Sequence, residues 1–237
     1  MVLNEKYKNY ETEMKYFDDI KRRMCNWQTL TVAKEIDEEY FNKVGEKEYL
    51  IKRYRLKDNM YPFKILHEEY CPLIKFATLM NYGEDCEIRY VGEKTQSETK
   101  KYDGEIKLEN REIISVEITN PIRGKIEKKK AESLNNKGYT KAEVFDSDKF
   151  IKEVTKLITD TAIKKAQKKY KTDILLIYLP EDVNFFEGMD ENLNKKFIEV
   201  IKAGLKKISY TAKEVYCIKP PYKGGSLQKE AQLIKIK

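Results

Sequence analysis

Three consecutive segments decide the fold: CEIRYVG at 86–92, YDGEIKL at 102–108 and REIISVEIT at 111–119. Each either alternates polar and apolar residues or is rich in isoleucine and valine, which is typical of β-strands. A polar stretch separates the first two segments, and Glu109 and Asn110 form a tight turn between the last two. The three segments therefore predict a meander, in which we expect the second and third strands to pair antiparallel.

Helices and two further strands follow or precede this meander. The segment TDILLIYLP at 172–180 is strongly apolar, so we expect a central strand, buried on both faces, beside the third strand of the meander. Apolar residues recur at helical spacing in 63–80, 148–170 and 190–208, and KEVYCIKP at 213–220 is a last strand. The order helix, three strands, helix, strand, helix, strand predicts an α/β fold with a mixed central sheet flanked by helices.

The pattern divides the chain into an N-terminal helical element at 1–60 and an α/β domain at 61–237. Within the first part, segments 5–24 and 29–57 carry apolar residues at helical spacing. Both are rich in Glu and Lys, which is typical of a packing or dimerisation element. We therefore expect a homodimer to form through the N-terminal helices.

The composition argues against several classes of protein. Of the 237 residues, 41% are hydrophobic and 37% charged, and no apolar run approaches the roughly 20 residues that span a bilayer. The start of the sequence lacks the apolar centre of a signal peptide. Four scattered cysteines without a CxxC pair indicate reduced thiols, and a single histidine excludes catalysis by several imidazoles. We expect a cytoplasmic protein without a membrane partner.

The formal net charge of +7 is unevenly distributed along the chain. Residues 121–171 contain 15 basic and seven acidic residues, whereas residues 61–120 contain eight basic and twelve acidic residues. An acidic segment beside a basic one suits carboxylates that hold a divalent cation next to a surface that attracts phosphates. It also suits an ordinary protein with solvated lysine faces, so charge alone leaves both interpretations open.

Two carboxylates lie on neighbouring strands of the predicted meander. Asp103 opens the second strand, and Glu117 lies near the end of the third. Thr119 shares a face with Glu117, because residues two apart in a strand point the same way. A hairpin brings Asp103 beside Glu117, where two carboxylates can bind Mg²⁺. Asp103-Gly104 is also ordinary turn chemistry, but a charge at Glu117, among apolar neighbours, costs free energy unless it is paired or binds a metal.

This arrangement resembles the PD-(D/E)XK nuclease superfamily, whose core is helix, three strands, helix, strand. The resemblance covers 66–179, with Asp103 as the first motif carboxylate, Glu117 as the second and Thr119 where the motif has lysine. It implies a Mg²⁺- or Mn²⁺-dependent endonuclease that hydrolyses DNA phosphodiester bonds, such as a restriction or mobile-element enzyme, with a metal-bound water as nucleophile. The alternative is a noncatalytic nucleic-acid-binding or assembly module on a degenerate nuclease fold.

The resemblance also implies roles for residues around the motif. Lys107 and Lys125 are candidate catalytic cations in place of the missing lysine. Glu69 lies on the helix before the first strand, where the family often contributes another metal ligand, although glutamates on helices are usually solvated. Lysines after the third strand and at the end of the next helix are expected to hold DNA phosphates without reading bases. These lysines are Lys128, Lys129, Lys130, Lys164, Lys165 and Lys168.

A second assignment of the motif is open. Glu105-Ile106-Lys107 is itself an E-x-K sequence, and Asp85 lies twenty residues upstream of Glu105. Asp85, however, falls in the turn NYGED, and Glu105 lies on the second strand of the meander. Glu105 also shares a strand face with Asp103 and Lys107, so it can assist the first assignment.

Overall fold

The structure is a computed structural model of an α/β protein. It describes residues 15, 18–44, 65–92, 102–122, 133, 146–168, 172–187, 190–224 and 227–237. Within these ranges, no helix is long and apolar enough to cross a membrane.

Helices and strands are numbered here in chain order. The helices are α1 (18–25), α2 (Leu30–Val44), α3 (Cys71–Leu79), α4 (Ser147–Gln167) and α5 (Glu191–Lys206), with a π-helix at Leu66–Tyr70 and a 3₁₀-helix at Glu181–Asn184. The strands are β1 (Gln28–Thr29), β2 (Glu87–Tyr90), β3 (Gly104–Lys107), β4 (Ile113–Thr119), β5 (Ile174–Tyr178), β6 (Glu214–Lys219), β7 (Tyr222–Gly224), β8 (Leu227–Lys229) and β9 (Gln232–Lys235).

The main sheet is mixed, with the strand order β1-β2-β3-β4-β5-β6-β9. Strands β2, β3 and β4 form an antiparallel meander, and β5 and β6 continue the sheet parallel to β4. Strand β9 pairs antiparallel with β6, while β7 and β8 form a separate hairpin. The predicted fold class, the antiparallel pairing within the meander and the position of β5 beside β4 are therefore confirmed.

Different helices cover the two faces of the sheet. Helices α1, α2 and α3 pack on one face, where Val116 and Ile118 of β4 are buried. Helices α4 and α5 pack on the other face, where Leu175 and Ile177 of β5 are buried. Because successive strand residues point to opposite faces, Glu117 of β4 faces the α4 side.

The described part of the N-terminal helical element shares a core with the sheet. Ile20 and Met24 of α1 and Leu30 and Ile36 of α2 are buried in the same cluster as Val116. Much of the two predicted N-terminal helices lies outside the described residues. The homodimer stays a prediction.

A π-helical turn places Pro72 at the start of α3. The backbone N–H of Cys71 donates to the carbonyl of Leu66, five residues earlier. Proline has no N–H, so Pro72 cannot donate to the carbonyl of Glu68, four residues before it. The Nδ2 of Asn120 donates to that carbonyl instead, which ties the π-helix to the residue that follows β4.

Candidate functional site

Asp103 lies directly before β3 and opposite Glu117. Gly104 pairs with Val116, so the residue before Gly104 meets the residue after Val116 in this antiparallel register. The Asp103 Oδ2 atom accepts a hydrogen bond of 2.7 Å from the N–H of Ile118. The Asp103 N–H donates to the Val116 carbonyl at 3.1 Å. These contacts hold the Asp103 carboxylate against β4, beside Glu117.

Glu117 is a buried carboxylate with a cationic partner. Its side chain is 5% exposed, and its Oε1 forms an ion pair with Nζ of Lys165 on α4. Burial, together with the negative charge of Asp103, raises the pKa of Glu117 to about 7, although Lys165 and Lys168 act to lower it. Near neutral pH the site therefore interconverts between protonated and ionised Glu117.

Thr119 is the last residue of β4 and lies on the same face as Glu117. It is buried, and its register partner is Ile177 of β5. The hydroxyl at this position can donate and accept hydrogen bonds, but it carries no charge. Where the nuclease motif that the sequence resembles has a lysine, this chain therefore has a neutral polar side chain.

Lys165, which the sequence predicts as a phosphate contact, forms an ion pair with Glu117. It continues the buried face of α4, which passes through Val154, Ile158 and Ala162, at the next helical step. Its side chain is 21% exposed, whereas Lys164 and Lys168 are exposed residues at the end of the helix. The sequence analysis missed this contact, and the signal that could have identified it is a lysine at the next helical step of an otherwise apolar face.

A pocket opens next to the Glu117–Lys165 pair. It is a shallow depression of about 10 Å³ that is open to solvent and lies between the end of α4, the start of β5 and the segment before β6. Its remaining lining residues are Ala166, Thr172, Leu175, Tyr210, Thr211 and Ala212. The depression therefore has room for about one water molecule beside the buried ion pair.

The structure does not bring Lys107 to the carboxylates. Its Nζ forms an ion pair with Glu87 and lies 5.4 Å from the ring centroid of Trp27. Lys107 is four residues along the strand from Asp103, which corresponds to about 13 Å at the usual rise per residue. The sequence argument identified the correct face for Lys107 but not its distance.

The second assignment of the motif is not assembled in the structure. Glu105 is buried and accepts hydrogen bonds from Arg89 Nε at 2.7 Å and from the Tyr102 hydroxyl at 2.5 Å. Asp85 is exposed in the turn before β2. The register pairs Arg89 with Glu105 and Glu87 with Lys107, so Asp85 lies beyond the Lys107 end of β3.

Glu69 lies in the π-helix on the chain segment that Asn120 contacts. Across the described ranges, no group of three or more His, Cys, Asp or Glu side chains could hold a metal ion. Glu69 therefore does not complete a three-carboxylate site with Asp103 and Glu117. Lys125, Lys128, Lys129 and Lys130 lie outside the described residues, so their predicted roles stay predictions.

The fold and the site together define an α/β protein with two adjacent carboxylates and a helix-borne lysine on one sheet face. Comparisons with models of protein families, with curated proteins and with solved structures find no match to this chain. The functional argument therefore rests on the geometry of Asp103, Glu117 and Lys165.

Proposed function

We propose that this chain is a divalent-metal-dependent nuclease that hydrolyses DNA phosphodiester bonds, with Asp103 and Glu117 as the metal ligands. The supporting observation is the placement of these two carboxylates opposite each other, Asp103 directly before β3 and Glu117 on β4, with Glu117 buried. Like charges this close disfavour ionisation of both groups, and burial adds to that cost. A bound divalent cation would relieve both penalties.

The donor set suits Mg²⁺ or Mn²⁺. Both are hard cations that prefer carboxylate oxygens, and Mg²⁺ is often held by one or two carboxylates, with water and substrate phosphate completing its shell. Two carboxylates are therefore a sufficient protein contribution. When bound, such a cation neutralises charge on the phosphate and promotes the ionisation of water.

The reaction needs few groups from the protein. A water oxygen forms a bond to phosphorus, and the bond from phosphorus to one ester oxygen breaks. The water loses a proton to solvent, and the leaving oxygen gains one. Asp103 and Glu117 bind the cation, and the Thr119 hydroxyl, on the same strand face, can accept a hydrogen bond from the attacking water. Thr119 supplies no positive charge.

The test is cleavage of plasmid and single-stranded DNA with Mg²⁺ or Mn²⁺, alongside calorimetric titration of the metal. Asp103→Asn keeps a side-chain oxygen for the Ile118 N–H but removes the charge, so we expect a folded variant that binds metal weakly and cleaves nothing detectable. Glu117→Gln should behave alike. The matched control is Asp190→Asn, because Asp190 caps α5 and asparagine caps helices equally well. Cleavage that survives Asp103→Asn would show that the site is misplaced.

A noncatalytic nucleic-acid-binding or assembly module is the second candidate. The Glu117–Lys165 ion pair supports it, because this pair satisfies the buried carboxylate without a metal. In that case the wild-type protein binds DNA, cleaves none, and shows no heat of metal binding above that of Asp103→Asn.

A further inference from the structure

We propose that Arg89 binds a backbone phosphate of DNA on the face of the meander, where Glu105 and Trp27 hold its guanidinium in place. This inference rests on the proposed function for its partner, DNA, but it requires neither cleavage nor a bound metal. It adds a phosphate contact on β2 to the lysines at the end of α4.

Arg89 lies on the sheet face that carries the two carboxylates. The register pairs Arg89 with Glu105, and Glu105 lies two residues along the chain from Asp103. Residues two apart in a strand share a face, and two residues span about 7 Å. A DNA strand that reaches Asp103 on this face therefore also passes close to Arg89.

Glu105 and Trp27 fix the orientation of the Arg89 side chain. The Arg89 Nε donates to Glu105 Oε2 at 2.7 Å, and Nη2 contacts the same oxygen at 2.5 Å. The Tyr102 hydroxyl donates to the other oxygen of Glu105 at 2.5 Å. The Arg89 Cζ lies 4.3 Å from the ring centroid of Trp27, which is a cation–π distance. The guanidinium is thus preorganised before any ligand arrives.

In this ion pair the anion is buried and the cation is partly exposed. The side chain of Glu105 is 2% exposed, whereas that of Arg89 is 30% exposed. A guanidinium has five N–H donors, and Nη1 of Arg89 meets no acceptor in the part of the chain that the structure describes. Its planar fork matches the geometry of a phosphate. Arg89 can therefore keep its contact with Glu105 and donate to a phosphate at the same time.

The ordinary explanation for such a contact is a cross-strand ion pair that stabilises a sheet. That explanation applies equally to Lys235 and Glu214, on β9 and β6 at the opposite side of the sheet, where Lys235 Nζ also lies 5.4 Å from the ring centroid of Tyr216. Both partners are exposed there, at 56% and 41%. The explanation does not account for a carboxylate that is buried beneath a partly exposed guanidinium. The Lys235–Glu214 pair is therefore the matched control.

The experiment measures DNA binding by fluorescence anisotropy over a salt series, with metal removed so that no cleavage occurs. Arg89→Gln/Glu105→Gln removes the cation together with the carboxylate that would otherwise be buried and unpaired, so we expect a folded variant. Each phosphate contact contributes about 0.9 to the slope of log K against log salt, so the slope should fall by about 1. Lys235→Gln/Glu214→Gln should keep the wild-type slope. Both double variants keep the net charge of +7, so net charge does not distinguish them.

A second readout can be taken on the wild type. Trp27 is the only tryptophan of the chain, so its fluorescence reports on the ring beside Arg89. A phosphate bound to Arg89 changes the electric field at this ring, and we expect the emission to shift on saturation with DNA. The shift should persist in Lys235→Gln/Glu214→Gln and disappear in Arg89→Gln/Glu105→Gln. Inorganic phosphate at the same phosphate concentration should cause no shift, because a single contact binds weakly.

The outcomes distinguish this inference from the proposed function. If the wild type binds DNA but Arg89→Gln/Glu105→Gln keeps the wild-type slope, or if Trp27 emission does not shift, the role of Arg89 is wrong and DNA binding stands. A shift with inorganic phosphate would identify a site for free phosphate and would reject DNA as its occupant. If the wild type binds no DNA at low salt, the proposed function is wrong, and the role of Arg89 is rejected with it.

Discussion

Within the site, Glu117 is the residue whose ionised form is disfavoured by both burial and a neighbouring carboxylate. A buried ion pair contributes little net stability, because the cost of removing two charges from water offsets their attraction. Here the pair is also opposed by Asp103, which favours the protonated form of Glu117. The ion pair therefore adds little to the free energy of unfolding. The two adjacent carboxylates would, however, contribute directly to the binding of a cation.

The raised pKa of Glu117 predicts a specific pH dependence of stability. The pKa is about 7 in the folded protein, against an ordinary value of 4.5, so between these values the native state binds more protons than the unfolded chain. Stability must then fall as the pH rises through this window, by about 3 kcal/mol at most. In urea unfolding without metal, we compare the free energy of unfolding of Glu117→Gln with that of the wild type. The difference in favour of the variant should grow by about 2 kcal/mol from about pH 5 to pH 8.

The control for this prediction is Glu214→Gln, which should be less stable than the wild type at neutral pH by an amount that stays constant between about pH 5 and pH 8. Hydrogen bonds from Lys235 and from the Tyr216 hydroxyl lower the pKa of Glu214. That carboxylate therefore contributes stability at neutral pH, and the contribution is lost as the pH falls through the lowered pKa. A stability difference between Glu117→Gln and wild type that is constant with pH would contradict a raised pKa at Glu117.

The sequence identified Lys165 as a candidate residue, but it did not predict the contact between Lys165 and Glu117. The sequence placed Lys165 only among the lysines at the end of α4, and the height of a helix over a sheet depends on the connections at both ends. The connection from β4 to α4 spans more than 20 residues, and no pattern in it sets that height. The predicted role of Lys107 met a similar limit. Strand alternation predicts which face a side chain shares, but the distance along the strand decides whether it reaches the carboxylates.

At the level of helices and strands, the meander followed from alternation and the central position of β5 from its run of apolar residues. The antiparallel register then placed Asp103 opposite Glu117, which is why the two motif carboxylates could be paired from sequence. The π-helix before α3 was beyond such reasoning. Its Glu68 carbonyl accepts a tertiary hydrogen bond from Asn120, and a residue 52 positions away leaves no periodic signal.

The contact between Asn120 and the π-helix can be tested by a double-mutant cycle with Pro72. Asn120→Ala removes the Nδ2 donor from the Glu68 carbonyl, and we expect a loss of about 1–3 kcal/mol in free energy of unfolding. In the Pro72→Ala background the new backbone N–H at position 72 can donate to the same carbonyl. The cost of Asn120→Ala should therefore be smaller there, and urea unfolding of the four proteins measures the difference.

Asn81→Ala provides a reference for Asn120→Ala, because Asn81 is an exposed asparagine in the turn after α3. The loss in free energy of unfolding caused by Asn81→Ala should be the same with proline or alanine at position 72. Equal costs of Asn120→Ala in both backgrounds would show that the Asn120 amide does not replace the missing proline donor.

Over the whole molecule, the positive charge at the end of α4 lies on the same side of the sheet as the carboxylates. Lys164 and Lys168 are exposed there, and Lys168 is close enough to lower the pKa of Glu117. The N-termini of α4 and α5 lie together at the other end, where the rings of Phe150 and Phe197 are 6.2 Å apart. With 21 residues, α4 separates the two ends by about 30 Å.

This separation predicts where DNA binds. With metal removed so that no cleavage occurs, DNA affinity should fall steeply with salt, because each neutralised phosphate contributes about 0.9 to the slope of log K against log salt. Lys164→Gln/Lys168→Gln should reduce that slope by about 2. Lys195→Gln/Lys196→Gln removes two exposed lysines from the opposite end of α5 and should leave the slope unchanged. Fluorescence anisotropy over a salt series measures both. Equal slopes for the two double variants would mean that DNA does not contact the end of α4, and undetectable binding at low salt would remove DNA as the partner.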